Sequence, residues 1–155
     1  MRRITPFLIL FATAAILLGC NSLRKIEANA YPIGYTELNN YYATTVDESK
    51  PQRLILNTQT EFDAHFGAAA VMGRNGEPTR VDFRRQFVLA VVLPPTNRNT
   101  TVVPGEILVT DREIIFNYRV NKQERLSYKI MPFTAVAIDK PATDTQMEII
   151  FNQVN

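Results

Sequence analysis

Apolar positions in this chain fall mostly into short continuous or alternating runs, and one segment alone has helical spacing. Residues 87–93 are apolar without a break, bounded by Arg84-Arg85 before and Pro94-Pro95 after. The run is too short for a stable helix and predicts a central strand buried on both faces. Further on, Ile114, Phe116, Tyr118 and Val120 alternate with residues that include Glu113, Asn117 and Arg119. Leu126, Tyr128 and Ile130 alternate with Ser127 and Lys129, and Asn121-Lys122-Gln123 between the two runs reads as a hairpin turn. Asp111-Arg112 marks a tight turn after an apolar strand over residues 107–110. Leu54-Ile55-Leu56, residues 133–139 and the trio Met147, Ile149, Phe151 supply further strands. Tyr31, Tyr35, Tyr41 and Tyr42, with Thr44, Thr45 and Val46, favour extended structure near the start. The helical segment has Phe62 and Phe66 at i and i+4, with Thr60 as cap and Asp63 three residues on. The expected fold is all-β: an antiparallel sandwich or small barrel of about seven strands with one short helix. Its expected core comprises Phe87, Leu89, Val91, Leu93, Ile114, Phe116, Tyr118 and Ile138.

The N-terminus follows a different logic. Arg2 and Arg3 precede an apolar run over residues 7–18, a small residue at Gly19, and the single cysteine, Cys20. That order is the order of a secretory signal, and the run is shorter than the about 20 residues a membrane span requires. Leu17-Leu18-Gly19-Cys20 resembles the lipobox of bacterial lipoproteins, in which the thiol is lipidated and becomes the new N-terminus. The expected organisation is a signal peptide at 1–19, a lipidated tether at 20–30 and a single β-rich domain at 31–155. Asn21 is not the aspartate of inner-membrane retention, and no acidic cluster follows. The expected location is therefore the outer membrane, lipid-anchored, on its periplasmic face.

Cleavage changes the charge balance. The chain has 17 Lys+Arg against 15 Asp+Glu, and losing Arg2 and Arg3 leaves fifteen of each. A nucleic-acid-binding domain carries a basic excess, so no nucleic-acid partner is expected. Arg84-Arg85 is the obvious seed for any local basic patch. With one cysteine there is no disulfide and no zinc site built on cysteine pairs, so stability rests on an apolar core rich in Phe and Tyr.

Candidate chemistry is sparse. His65 is the only histidine, with Glu61 four residues earlier as a possible ion-pair partner or half of a metal site. A zinc site normally needs three protein ligands. Glu61, Asp63 and Asp82 are the carboxylates that glycoside chemistry would draw on. Gly67, Gly73 and Gly76 match no phosphate-binding fingerprint. No catalytic residue, metal site or cofactor is expected, and the chain is not read as an enzyme. Residues 94–105 are the leading candidate for recognition, read as a long loop braced by Pro94, Pro95 and Pro104. Its expected partner-binding residues are Asn97, Arg98, Asn99, Thr100 and Val102. Lys122 and Arg125, placed on a separate hairpin, are expected to matter far less.

Val81-Asp82-Phe83, residues 87–93, the long segment after them, and Met131-Pro132-Phe133 leading into Val136-Ala137-Ile138 resemble the PrcB C-terminal-like family of small bacterial lipoproteins. Glu61-Phe62 and Phe66 also suit that layout, and the resemblance spans roughly residues 52–140. Where relatives have Thr-Gly-Gly-Tyr, this chain has Thr100-Thr101-Val102-Val103. The format is also similar to that of potempin-type protease inhibitors. The resemblance implies a lipid-anchored envelope protein that binds a protease as inhibitor or accessory subunit. The alternatives are an assembly lipoprotein that binds other envelope proteins, or a β-barrel that takes a small ligand.

Overall fold

Residues 87–92 of the apolar run lie in a central strand, and its burial on both faces explains the run, while Leu93 falls just past its end and is partly buried. The computed structural model describes residues 29–44, 47, 49–69, 76–142 and 147–155; Cys20 and the signal segment lie outside them. Ten strands and one helix are present among the described residues: β1 (Tyr31–Ile33), β2 (Thr36–Glu37), β3 (Tyr41–Ala43), β4 (Gln52–Leu56), α1 (Gln59–His65), β5 (Phe66–Ala68), β6 (Gln86–Val92), β7 (Thr96–Val109), β8 (Glu113–Ile130), β9 (Phe133–Asp139) and β10 (Glu148–Gln153). Two four-stranded sheets, ordered β1-β7-β8-β10 and β2-β9-β6-β4, pack into an all-β sandwich with no closed barrel. Ten strands stand against about seven expected: the tyrosine-rich start breaks into three short ones and β5 follows α1 directly, while the two runs read as a hairpin merge into β8.

The sandwich is built from one long ribbon doubled over. β6 and β9 pair antiparallel from Gln86↔Asp139 to Val92↔Phe133. The ladder continues through Leu93 N–H donating to Pro132 O at 2.8 Å. It resumes in β7 and β8 from Thr96↔Ile130 to Val109↔Ile114. Pro94, Pro95 and Pro132 fall where the ribbon changes sheets, the place where missing N–H donors and fixed φ angles do least harm to a ladder. The halves then face each other across Phe87, Leu89, Val91, Val136 and Ile138 on one side. Val102, Ile107, Val109, Ile114, Phe116 and Tyr118 meet them from the other. Ribbon closure at Asp111-Arg112 is as expected: the buried Thr110 hydroxyl accepts from the backbone N–H of Arg112 and Glu113.

Val88, Ala90 and Val92 point the other way, onto Leu38, Leu56, Phe62 and Phe66 from α1 and its neighbours. The small Ala residues of β6 and β9 leave room for the aromatic side chains of that layer. Phe62 anchors it, with ring centroids 5.0 Å from Tyr41 and 5.1 Å from Phe66. Thr58, not Thr60, caps the helix: its hydroxyl accepts from Glu61 N–H, and Glu61 Oε2 accepts from Asn57 N–H at 2.6 Å. The Thr58-x-x-Glu61 spacing satisfies two of the free donors at the helix start, which Thr60 with Asp63 does not.

Two expectations about strand order are corrected. β10 runs parallel to β8, Glu148↔Glu113 through Gln153↔Tyr118, so the sandwich is not wholly antiparallel. There is also no turn at Asn121-Lys122-Gln123: β8 passes straight through it to Ile130. These polar residues stand on strand that neither sheet covers, so their polarity marks exposure and not a reversal of the chain.

Candidate functional site

The segment expected to be a loop, residues 94–105, is strand for most of its length. From Thr96 onward it belongs to β7 and pairs with β8, including Arg98↔Arg125 and Thr100↔Lys122. Residues 96–101 and 121–130 form an arch between the proline corner and the packed part of the ribbon. Its irregular register explains why the alternation is hard to read. Between Thr96↔Ile130 and Arg98↔Arg125, two steps along β7 answer five along β8, and another residue is gained before Thr100↔Lys122. The surplus bulges outward and carries Tyr128, 62 % exposed. Bulges of this kind bend and twist a ribbon.

The arch separates the five expected binding residues. Asn97 and Arg98 are exposed, and Arg98 Nη1 donates to Gln123 O at 3.3 Å. Asn99 ties the two strands together: its amide donates to Gln123 Oε1 at 2.9 Å and to Glu124 Oε1 at 2.8 Å. The Asn99 hydrogen bond holds the Glu124 carboxyl below its ordinary range. Val102, 7 % exposed, packs into the core between the sheets and reaches the surface only at the wall of a cleft. Thr100 is 5 % exposed, and its hydroxyl has no hydrogen-bond partner. A buried hydroxyl without a partner loses its hydration for nothing in return, so such groups are rare.

Lys122 and Arg125, set aside in the sequence reading, stand directly opposite Thr100 and Arg98. The alternation of β8 continued past Val120 reaches Lys122, whereas Arg125 comes opposite Arg98 only through the bulge between them, which the sequence does not show. No carboxylate lies within ion-pairing distance of Arg98, Lys122 or Arg125 among the described residues. Glu124, the nearest in sequence, is turned towards Asn99. Residues 96–104 and 118–130 hold five cations (Arg98, Arg119, Lys122, Arg125 and Lys129) against Glu124 alone. The basic patch therefore lies here and not at Arg84, whose Nε is 3.1 Å from Asp82 Oδ1. The Arg84 side-chain hydrogen bond holds the Asp82 carboxyl below its ordinary range.

Both outer edges of the arch lack a neighbouring strand among the described residues. β1 reaches only Ile107–Val109 of β7, and β10 only Glu113–Tyr118 of β8. Open clefts flank it. One, of about 530 Å³, runs from Tyr35 and Glu37 along residues 100–104 to residues 130–133. The other, of about 520 Å³, is walled by Pro51, Leu93, Pro94, Pro95 and Val120 and edged by Thr100, Lys122 and Gln153.

The other candidate groups are held locally. Glu61 is engaged with Asn57 and not with His65, and Asp63 Oδ1 accepts from Gln59 Nε2 at 2.7 Å. Among the described residues no group of three or more His, Cys, Asp or Glu could hold a metal ion. The described helices include none long and apolar enough to cross a membrane. No protein family, curated protein or solved structure matches this chain. The short-motif likeness to the PrcB C-terminal-like domains therefore rests on those residues alone.

Proposed function

We propose that this chain is a lipid-anchored envelope protein, on the periplasmic face of the outer membrane, whose β-domain binds another protein through the arch. The target to test first is a protease, with the domain acting as inhibitor or accessory subunit. One observation carries the reading: among the described residues, no strand pairs with the outer edges of residues 96–106 of β7 and 119–130 of β8. Such edges are templates for pairing with another chain, and proteins that have no use for them normally cover them. Pro104 blunts the β7 edge next to β1 and leaves residues 96–103 as its usable part. A ligand held inside a barrel has no support, because the sheets do not close and the space between them is filled by Phe116, Tyr118 and their neighbours.

The reading is tested by placing a photo-crosslinking amino acid in the full-length chain, in cells, at exposed Asn97, Thr101 or Asn121. Exposed Arg53 on β4 serves as the control position. Adducts with one defined protein are expected from the arch positions and not from position 53. Adducts from position 53 alone, or none from any arch position, would refute the arch as the binding face. A captured protease is then assayed with and without the purified chain; unchanged activity and localisation would remove the protease from the proposal.

A further inference from the structure

We infer that the cleft on the β10 side of the arch binds a carboxylate presented by an extended polypeptide. The inference rests on the protein-binding reading above and names the chemistry of its partner. Three observations converge on it. First, Thr100, whose hydroxyl is buried and unpartnered, lines this cleft as well as the one on the other side. Second, Lys122 lies directly across the ribbon from Thr100 and lines the same cleft, with no carboxylate within ion-pairing distance among the described residues. Third, two residues along β7 from Thr100, beyond the lining of the cleft and across a bulge, Arg98 is paired opposite Arg125. Like charges directly opposite each other in a sheet repel. An acidic group lying between them would turn that repulsion into attraction, and guanidinium groups hold carboxylates in paired hydrogen bonds.

The rest of the site selects a polypeptide. Pro51, Leu93, Pro94, Pro95 and Val120 offer apolar walls to side chains flanking the acid. The open edges of β7 and β8 offer backbone donors and acceptors at strand spacing. An extended segment alternating acidic and apolar residues satisfies both at once, because alternate side chains point to opposite faces. Arg119 is exposed and opposite Val103, on the other face of the ribbon. It carries the same charge and serves as the control on the opposite face.

The test uses the full-length chain in detergent. The probe is a fluorescein-labelled eight-residue peptide of alternating Glu and Val, followed by fluorescence anisotropy, with a Gln-Val peptide as the neutral counterpart. The Glu peptide is expected to bind at least tenfold more tightly than the Gln peptide. The double variant R98Q/R125Q should weaken it at least tenfold and T100V severalfold, while R119Q changes it less than twofold. Thermal melts confirm that each variant is folded. No binding, equal binding of both peptides, or an R119Q loss as large as that of R98Q/R125Q overturns the inference. Binding of soluble short-chain phosphatidylglycerol through Arg98 and Arg125, without binding of the Glu peptide, also overturns it and assigns the cations to a lipid. A chain that cross-links through the arch but ignores the Glu peptide refutes this inference and leaves the binding-module reading intact. A chain that binds the peptide but cross-links only from position 53 does the reverse.

Discussion

Phe62→Ala tests whether the helical layer is part of the folded unit or a loose cover. Phe62 is 1 % exposed and touches Tyr41, Phe66 and Phe83, with centroids 5.0, 5.1 and 6.0 Å away. Truncating a buried Phe to Ala generally costs 3–5 kcal/mol, from lost transfer free energy plus the cavity left behind. Three aromatic neighbours and a sheet beneath it leave little freedom to collapse, which places the expected loss at about 4 kcal/mol. That is a large part of the about 5–15 kcal/mol by which domains are stable. With a urea dependence of about 2 kcal/mol per molar, the unfolding midpoint should fall by about 2 M. The chain has no Trp, so unfolding is followed by tyrosine fluorescence together with far-UV circular dichroism. Ile55→Ala, on the exposed side of β4, should move the midpoint by a few tenths molar at most. If Phe62→Ala moves it no further than Ile55→Ala does, α1 is not docked on β6 and β9, and the burial of β6 on its second face has been misassigned.

Three other outcomes are expected. Thr58→Ala should destabilise the domain by about 1 kcal/mol through loss of the N-cap, measured by the same urea titration, whereas Thr60→Ala should lie within about 0.5 kcal/mol of wild type. Thr100→Val should stabilise the unliganded protein by about 1 kcal/mol, because it removes a desolvated hydroxyl that has no partner and keeps the side chain's shape; a loss of stability would mean that the hydroxyl is satisfied. Cys20→Ala should release the chain from the membrane fraction, checked by detergent phase partitioning, since anchoring depends on the acyl chains; unchanged partitioning would remove the lipobox reading.

The strands that carry the core were legible because each obeys one rule. Residues 87–93 are continuous because two layers cover them, and Ile114 to Tyr118 alternate because one face meets the opposite sheet. The helix was placed correctly, but its cap was sought two residues late, inside the first turn and not before it. The parallel pairing of β10 left no local trace, since Ile149 and Phe151 would alternate in the same way in either direction. The arch was misread for a physical reason. Pro94-Pro95 and Asn121-Lys122-Gln123 carry the composition of loops and turns, yet here they mark a corner and an uncovered strand. Both readings predict polar, exposed residues, and only the pairing partner separates them. A turn at Asn121 separates Lys122 and Arg125 from the site, whereas the continuous β8 sets them opposite two of its expected members.

The arch also differs from the rest of the molecule in how its residues suit their positions. Elsewhere local preference and packing mostly agree: β-branched and aromatic residues fill the strands and Ala sits where α1 presses on the sheet, the buried unpartnered Gln52 Oε1 and His65 Nδ1 being exceptions outside the arch. On the arch a hydroxyl is buried without a partner and two arginines face each other. Strand edges are left open there, and Tyr128 is lifted into solvent on a bulge. Each of these is unfavourable in isolation, and simple substitutions would relieve it: Val at position 100, or an acid opposite Arg98. Sequences that specify a fold are locally consistent, and departures from that consistency collect where function opposes stability. Scattered over the surface, the same four features would need no common explanation. Gathered on one ribbon, they make the arch the place to test for a partner, and the unpartnered hydroxyl, the paired arginines and the open edges are the features that the proposed acidic strand would satisfy.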